Sequence, residues 1–174
     1  MQNIIMPKTR IKELQTPLIF LAGPIRGAPN WHDDAIEIIL SSAKNITVAS
    51  PSRALKESLR GHLLNGDESF HGQRAWERYY LDIASRNGTI MFWLPGEENH
   101  NCEKAYGAMT RIELGQWMTN YKHDKSLRIV MGSDGKFSEL DTIKFDLSLD
   151  APDKRILGSL EATCLEAIRM ALRT

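Results

Sequence analysis

The stretch RIELGQW, residues 111–117, sets Glu113 beside Leu114 and Gly115 near the start of an amphipathic segment. A strand apolar enough to be buried precedes it. A carboxylate in an early helical turn lies where the helix dipole favours negative charge, so it is expected to stay ionised, and an ionised, positioned carboxylate is a possible nucleophile. Gly115 costs about 1 kcal/mol relative to alanine inside a helix, which predicts a close approach there by the sheet or by a ligand. From local sequence alone, Glu113 also fits a dipole-favoured surface carboxylate and Gly115 a packing accommodation.

Other groups of chemically capable residues exclude more than they propose. The loop GPIRGAPN, 23–30, has glycines but neither a Walker lysine nor the third glycine of a dinucleotide fingerprint, so ATP or NAD use is not supported. His100 and Cys102 in NHNCE have no second pair at ligand spacing, so no metal is expected.

The elements that must position Glu113 follow from hydrophobic periodicity. PLIFLAG, 17–23, predicts a strand buried on both faces, and Asn30 is placed to cap a helix that carries Trp31, Ala35, Ile38, Ile39 and Ala43 to about residue 44. A second strand at 46–49 stops at Ser50 and Pro51. An irregular connection follows, with one helical turn near 55–64. Trp76, Tyr79, Tyr80 and Ile83 are at helical spacing up to the stop signal Asn87-Gly88, and TIMFWLP, 89–95, is the third strand. A polar loop over 96–107 leads to the helix of Met109, Ile112, Leu114, Trp117 and Tyr121, and LRIVMG is strand four. TIKFDL, 142–147, reads as a fifth strand, and a C-terminal helix is expected over about 152–172.

Strands alternating with helices imply right-handed crossovers and a parallel sheet covered on both faces. Ligands of such sheets lie outside the carboxyl ends of the strands, where strand order reverses. The 174 residues fit one domain, and 22 lysines plus arginines balance 22 aspartates plus glutamates, so no basic stripe points to nucleic acid or membrane. A small neutral or singly charged ligand is expected. Two distant cysteines, no signal-like apolar run and no stretch approaching the roughly 20 residues of a membrane span predict a reduced, cytoplasmic protein.

IFLAGPIRG, WERYYLDIASRNGTIMFWLP and RIELG, in that order, resemble the nucleoside 2-deoxyribosyltransferase family and its relatives that hydrolyse deoxynucleoside monophosphates, over roughly 17–133. The resemblance implies a flavodoxin-like three-layer α/β sandwich with a mainly parallel sheet of about five strands. It assigns Glu113 to attack the anomeric carbon of deoxyribose and Asp82 to exchange a proton with the base, with no cofactor. Gly23, Pro24, Ile25, Arg26 and Gly27 would hold the sugar, with Trp31, Asp33 and Arg53 nearby and Glu97 and Glu98 as base contacts. Phe20 stands where family members often have a tyrosine that orients the nucleophile, leaving Tyr79, Tyr80 or Tyr106 as substitutes. Pro24 stands where the monophosphate hydrolases have a phosphate-holding serine. Trp76 and Trp93 are expected in the core, and Arg78 on a solvated or salt-bridged face beside Asp82. Relatives are oligomers in which a neighbour closes the site, which implies at least a homodimer. A non-catalytic nucleotide- or sugar-binding module of the same fold is the alternative.

Overall fold

The computed structural model describes residues 3–68, 70–100 and 103–173. Its core is β3 (Leu18–Ala22) and β6 (Gly88–Leu94), every residue of both buried. Beside β3 lies β4 (Thr47–Ala49), and beyond it β1 (Ile4–Ile5). Beside β6 lies β7 (Ile129–Ser133), and beyond it β8 (Ile156–Leu157). All five pairings are parallel, with Phe20 opposite both Ala49 and Ile90. The result is an open six-stranded sheet of order β1-β4-β3-β6-β7-β8 in a flavodoxin-like three-layer α/β arrangement. A separate antiparallel ribbon joins β2 (Thr9–Arg10) to β5 (Asp67–Glu68).

Side chains alternate across the strands with period two, and each face recruits its own helices. Ile19, Leu21, Met91 and Trp93 pack with Trp31, Ile36 and Ile39 of α1 (Trp31–Ser42) and with Cys164 and Ala167 of α5 (Leu160–Ala171). Phe20, Ile90 and Phe92 pack with Trp76, Tyr80 and Ala84 of α2 (Gln73–Arg86), with Leu114 and Trp117 of α3 (Ala108–His123), and with Leu140 and Leu147 of α4 (Leu140–Asp150). Trp76 and Trp93 are both core residues, as expected from their positions.

Three expectations are revised. TIKFDL is not a strand but part of α4: it alternates, yet Leu140 and Leu147 also share a helical face, and that face is the one buried while Phe145 and Leu149 remain exposed. The strand beyond β7 is instead Ile156–Leu157, so the C-terminal helix begins later, at Leu160, where the Ser159 hydroxyl accepts from the Ala162 N–H at 3.2 Å. Asn30 precedes α1 but does not cap it by accepting; its Nδ2 donates to Asp33 Oδ2 at 2.8 Å. The helical turn near 55–64 is a 3₁₀ helix over Glu57–His62. Among the described residues no helix is long and apolar enough to cross a membrane.

Candidate functional site

β3 and β6 are neighbours in the sheet, yet β4, which comes between them in sequence, lies on the far side of β3. Strand order reverses there, so the loops leaving β3 and β6 diverge and open a crevice. A cavity of about 580 Å³ fills it, within the range of small-molecule sites. Its walls are the loop 23–27 after β3, Pro51 after β4, parts of the segment after β6, the first turns of α3 as far as Glu113, and Glu77 of α2.

Glu113 is 8 % exposed. One nitrogen of Arg74, Nη1, donates to Glu113 Oε1 and also to Glu77 Oε2, the latter at 3.3 Å. Two oxygens sharing one donor lie no farther apart than about 6 Å, twice a hydrogen-bond length. Gln73 Nε2 fixes the other Glu77 oxygen at 3.0 Å while donating to the Pro51 carbonyl at 3.0 Å. Burial raises the Glu113 pKa above the usual carboxylate range, against the hydrogen bond and charge of Arg74, which lower it. The dipole expectation is therefore revised: α3 starts at Ala108, Glu113 lies past its first turn, and the dipole fades over that distance. Burial works against the charge on Arg74, but its bonds to Glu113 and Glu77 outweigh burial and hold it cationic.

Asp82 is not brought to Glu113. Its side chain is 67 % exposed, 3.8 Å from Arg86 one turn on, and it borders a small hollow between α2 and α3, separate from the cavity, with Arg74, Arg78 and Gln116. Five residues along a helix turn a side chain by about 140°, so when Glu77 faces the cavity Asp82 faces away. The pattern carried this signal: Glu77 sits one turn before Leu81 on the flank of the apolar stripe Trp76, Tyr80, Ala84, whereas Asp82 lies between Arg78 and Arg86.

The loop after β3 rests on aromatic support. A Cβ at Gly23 would lie 2.3 Å from the Trp93 carbonyl oxygen and 2.7 Å from the Trp31 ring, so only glycine fits between them. Trp31 Nε1 donates to the Pro24 carbonyl at 2.9 Å, and its ring stacks on His32 at 3.7 Å. Trp31 is thus a buried strut beneath the loop and does not line the cavity. Asp33 is also buried outside it, accepting from Asn30 and from the Lys56 N–H at 3.2 Å, which ties the start of α1 to the segment after β4. Arg53 is exposed; its Nε donates to Gln73 Oε1 at 3.3 Å, so it contacts the residue that holds Glu77 and not the cavity.

Pro24, Ile25, Arg26 and Gly27 do line the cavity, and Arg26 has no ion pair or hydrogen bond to a described residue. Glu97 lines it too, with Oε2 3.0 Å from His100 Nδ1, whereas Glu98 contributes only its N–H, donated to the Gly27 carbonyl at 2.8 Å. Of the three tyrosines, Tyr80 is used elsewhere: its hydroxyl accepts from the Ile11 N–H at 3.0 Å and donates to the Thr9 carbonyl. Tyr79 packs on Phe70. Tyr106 alone lines the cavity, with its hydroxyl 2.9 Å from the Pro95 carbonyl and 3.1 Å from that of Gly96. Burial, then the nearby Asp134 and Glu97, push its pKa up, so the phenol stays a neutral donor that pins the loop after β6.

Gly115 makes no close approach: a Cβ there would meet nothing within 4 Å, and the residue borders a groove between α3 and α4. Cys102 lies outside the described residues, and among the described residues no three His, Cys, Asp or Glu side chains are grouped to hold a metal ion. No protein-family model matches the chain, and no curated protein matches it either.

Proposed function

We propose that this chain cleaves or transfers the N-glycosidic bond of a (2′-deoxy)nucleoside or its monophosphate through a covalent glycosyl-Glu113 intermediate. The observation that carries the proposal is the pair of carboxylates, Glu113 and Glu77, that line a ligand-sized cavity and share a hydrogen-bond donor, Arg74. The two carboxylate oxygens that share Arg74 Nη1 lie closer than the roughly 6.5–9.5 Å between carboxyl groups of an inverting water-mediated displacement, which favours direct attack. In the first step a Glu113 oxygen bonds to C1′ as the bond to the base breaks, and Glu77 supplies a proton to the leaving base. In the second, water or a second base attacks C1′, gives a proton to Glu77 and frees Glu113. Burial makes the Glu113 charge costly in the resting protein, and positive charge developing on the sugar ring relieves that cost. Arg74 is a positioning residue that keeps the two carboxylates oriented before substrate arrives. No cofactor enters this scheme.

Arg26 and Lys104 both line the cavity without a hydrogen bond or ion pair to a described residue, which supports an anionic group on the substrate such as a 5′-phosphate. Ile25 and Met109, exposed at 43 and 54 %, line the cavity. Apolar surface at that place supports a homodimer in which a second copy covers the opening.

A non-catalytic nucleotide- or sugar-binding module is the second reading. Phe20, which offers no hydroxyl, and Arg74, which already occupies Glu113, are the observations that favour it. Mass mapping of a rapidly quenched reaction separates the two: a deoxyribosyl adduct on the peptide containing Glu113 is expected, and saturable binding without any adduct or free base would establish the binding module instead.

A further inference from the structure

A second concavity lies at the opposite end of the sheet, where β7 and β8 begin. It encloses about 520 Å³ between the C-terminal end of α3, the segment preceding β8, and α5. Its walls carry six cations, Lys125, Arg128, Lys154, Arg155, Arg169 and Arg173, against only Asp153 and Glu166, an excess of four positive charges among the described side chains. The whole chain has equal numbers of basic and acidic residues, so this charge is segregated and not a reflection of composition.

The two carboxylates are already engaged. Asp153 accepts from the Tyr121 hydroxyl, and Glu166 accepts from Arg169 Nε at 2.6 Å. Lys154 Nζ donates to the Ile129 carbonyl at 3.1 Å and lies 4.1 Å from the centre of the Tyr121 ring, with Lys125 Nζ at 4.3 Å from the same ring. Arg128 reaches the Ala171 carbonyl at 3.5 Å. The side chains of Arg155 and Arg173 make no hydrogen bond or ion pair to a described residue. Like charges gathered in a concave wall repel one another, and burial already pushes the Lys154 pKa down. An anion relieves both costs, and two unengaged guanidinium forks match the oxygen geometry of phosphate groups.

We propose that this cavity binds a small compound bearing two or more linked phosphate groups, held by Arg155 and Arg173 over a floor of Lys154, Lys125 and Tyr121. A volume of this size suits a diphosphate or a nucleotide, and an excess of four charges suits a multiply charged anion over a single carboxylate. The site shares no lining residue with the cavity of Glu113, so it stands or falls separately from the glycosidic-bond proposal.

Isothermal titration of the full-length protein with inorganic pyrophosphate at about 50 mM salt tests it, with orthophosphate, a nucleoside triphosphate and a single-stranded oligonucleotide as comparison arms. In an R26Q background, which removes the anion-binding arginine of the Glu113 cavity, saturable one-to-one binding of pyrophosphate is expected, tighter than orthophosphate and weakened at least tenfold when R155Q/R173Q is added. Tighter binding of the triphosphate than of pyrophosphate would name a nucleotide as the source. Near-UV circular dichroism checks that the double variant is folded; if it is not, the single variants R155Q and R173Q carry the test. Absence of saturable binding overturns the proposal, as does binding lost in R26Q and kept in R155Q/R173Q. Preferential binding of the oligonucleotide, lost in the double variant, would overturn it in favour of a nucleic-acid surface.

Discussion

His32 makes stability depend on pH in a way that can be worked out before any experiment. It is 2 % exposed, its Nε2 is buried without a hydrogen-bond partner, and it stacks on the Trp31 ring that supports the loop after β3. Burial pushes its pKa down from 6.5 to about 3. In the unfolded chain the imidazole takes up a proton as pH falls through 6.5, while the folded protein refuses it until about pH 3. The unfolded state therefore binds more protons across that window, and stability falls as pH falls, by about 1.4 kcal/mol per pH unit at full slope. From pH 7 to pH 5 the loss from His32 alone is about 2 kcal/mol, equivalent to roughly 4–8 °C in Tm for a chain of this size. Denaturant unfolding at pH 7, 6 and 5 on the wild type and on His32→Leu isolates it, because other titrating groups act in both proteins. The stability difference between the two should move by about 2 kcal/mol in favour of the variant over that interval. Parallel curves, with a difference constant to within about 0.5 kcal/mol, would refute the assignment of a neutral, unpartnered His32.

Exchange of carboxylates separates the two candidates on α2: Glu77→Gln should lower kcat/KM for base release by about 10²- to 10⁴-fold, whereas Asp82→Asn should change it less than about twofold, read by chromatography of free base. The nucleophile must be ionised and burial raises its pKa, so the acid limb of the kcat/KM profile should lie above the ordinary glutamate value of 4.5. Arg74→Gln removes the opposing influence and should move that limb to still higher pH; an unmoved limb would detach Arg74 from Glu113. Gly115→Ala should stabilise the protein by about 0.5–1 kcal/mol in thermal unfolding, since the new methyl meets open space inside a helix. Gly23→Ala should destabilise by about 1–3 kcal/mol, because its methyl collides with the Trp93 carbonyl and the Trp31 ring.

The strands were legible where sequence is least ambiguous. Residues 17–23 and 89–95 are continuous apolar runs bounded by proline or glycine, and both form the buried centre of the sheet. Two-residue edge strands such as Ile4–Ile5 are too short to leave a periodic signal, and TIKFDL satisfies both the strand and the helix period, so only packing beside α3 decides. At the cavity, Glu113 and the loop 23–27 lie where strand order predicts. Trp31 and Asp33 were expected near the ligand because of their place in the chain, but a helix start that must support a glycine turn buries them. The place of Glu77 on the flank of the apolar stripe is legible in the sequence, but its meeting with Glu113 through Arg74 is not, because that requires α2 to be docked beside α3. Arg74 is at pairing distance from Glu77 one turn on, but its bond to Glu113, 39 residues away, has no signal in the sequence.

The most direct test of Glu113 as a nucleophile is chromatographic detection of base released from a panel of 2′-deoxynucleosides and their 5′-monophosphates, with and without a second free base, by the wild type and by Glu113→Gln. Release or exchange of base by the wild type, abolished in a folded Glu113→Gln that still binds the substrate, is the predicted result. Equal turnover by the folded variant, or silence of the wild type across the whole panel, would contradict it.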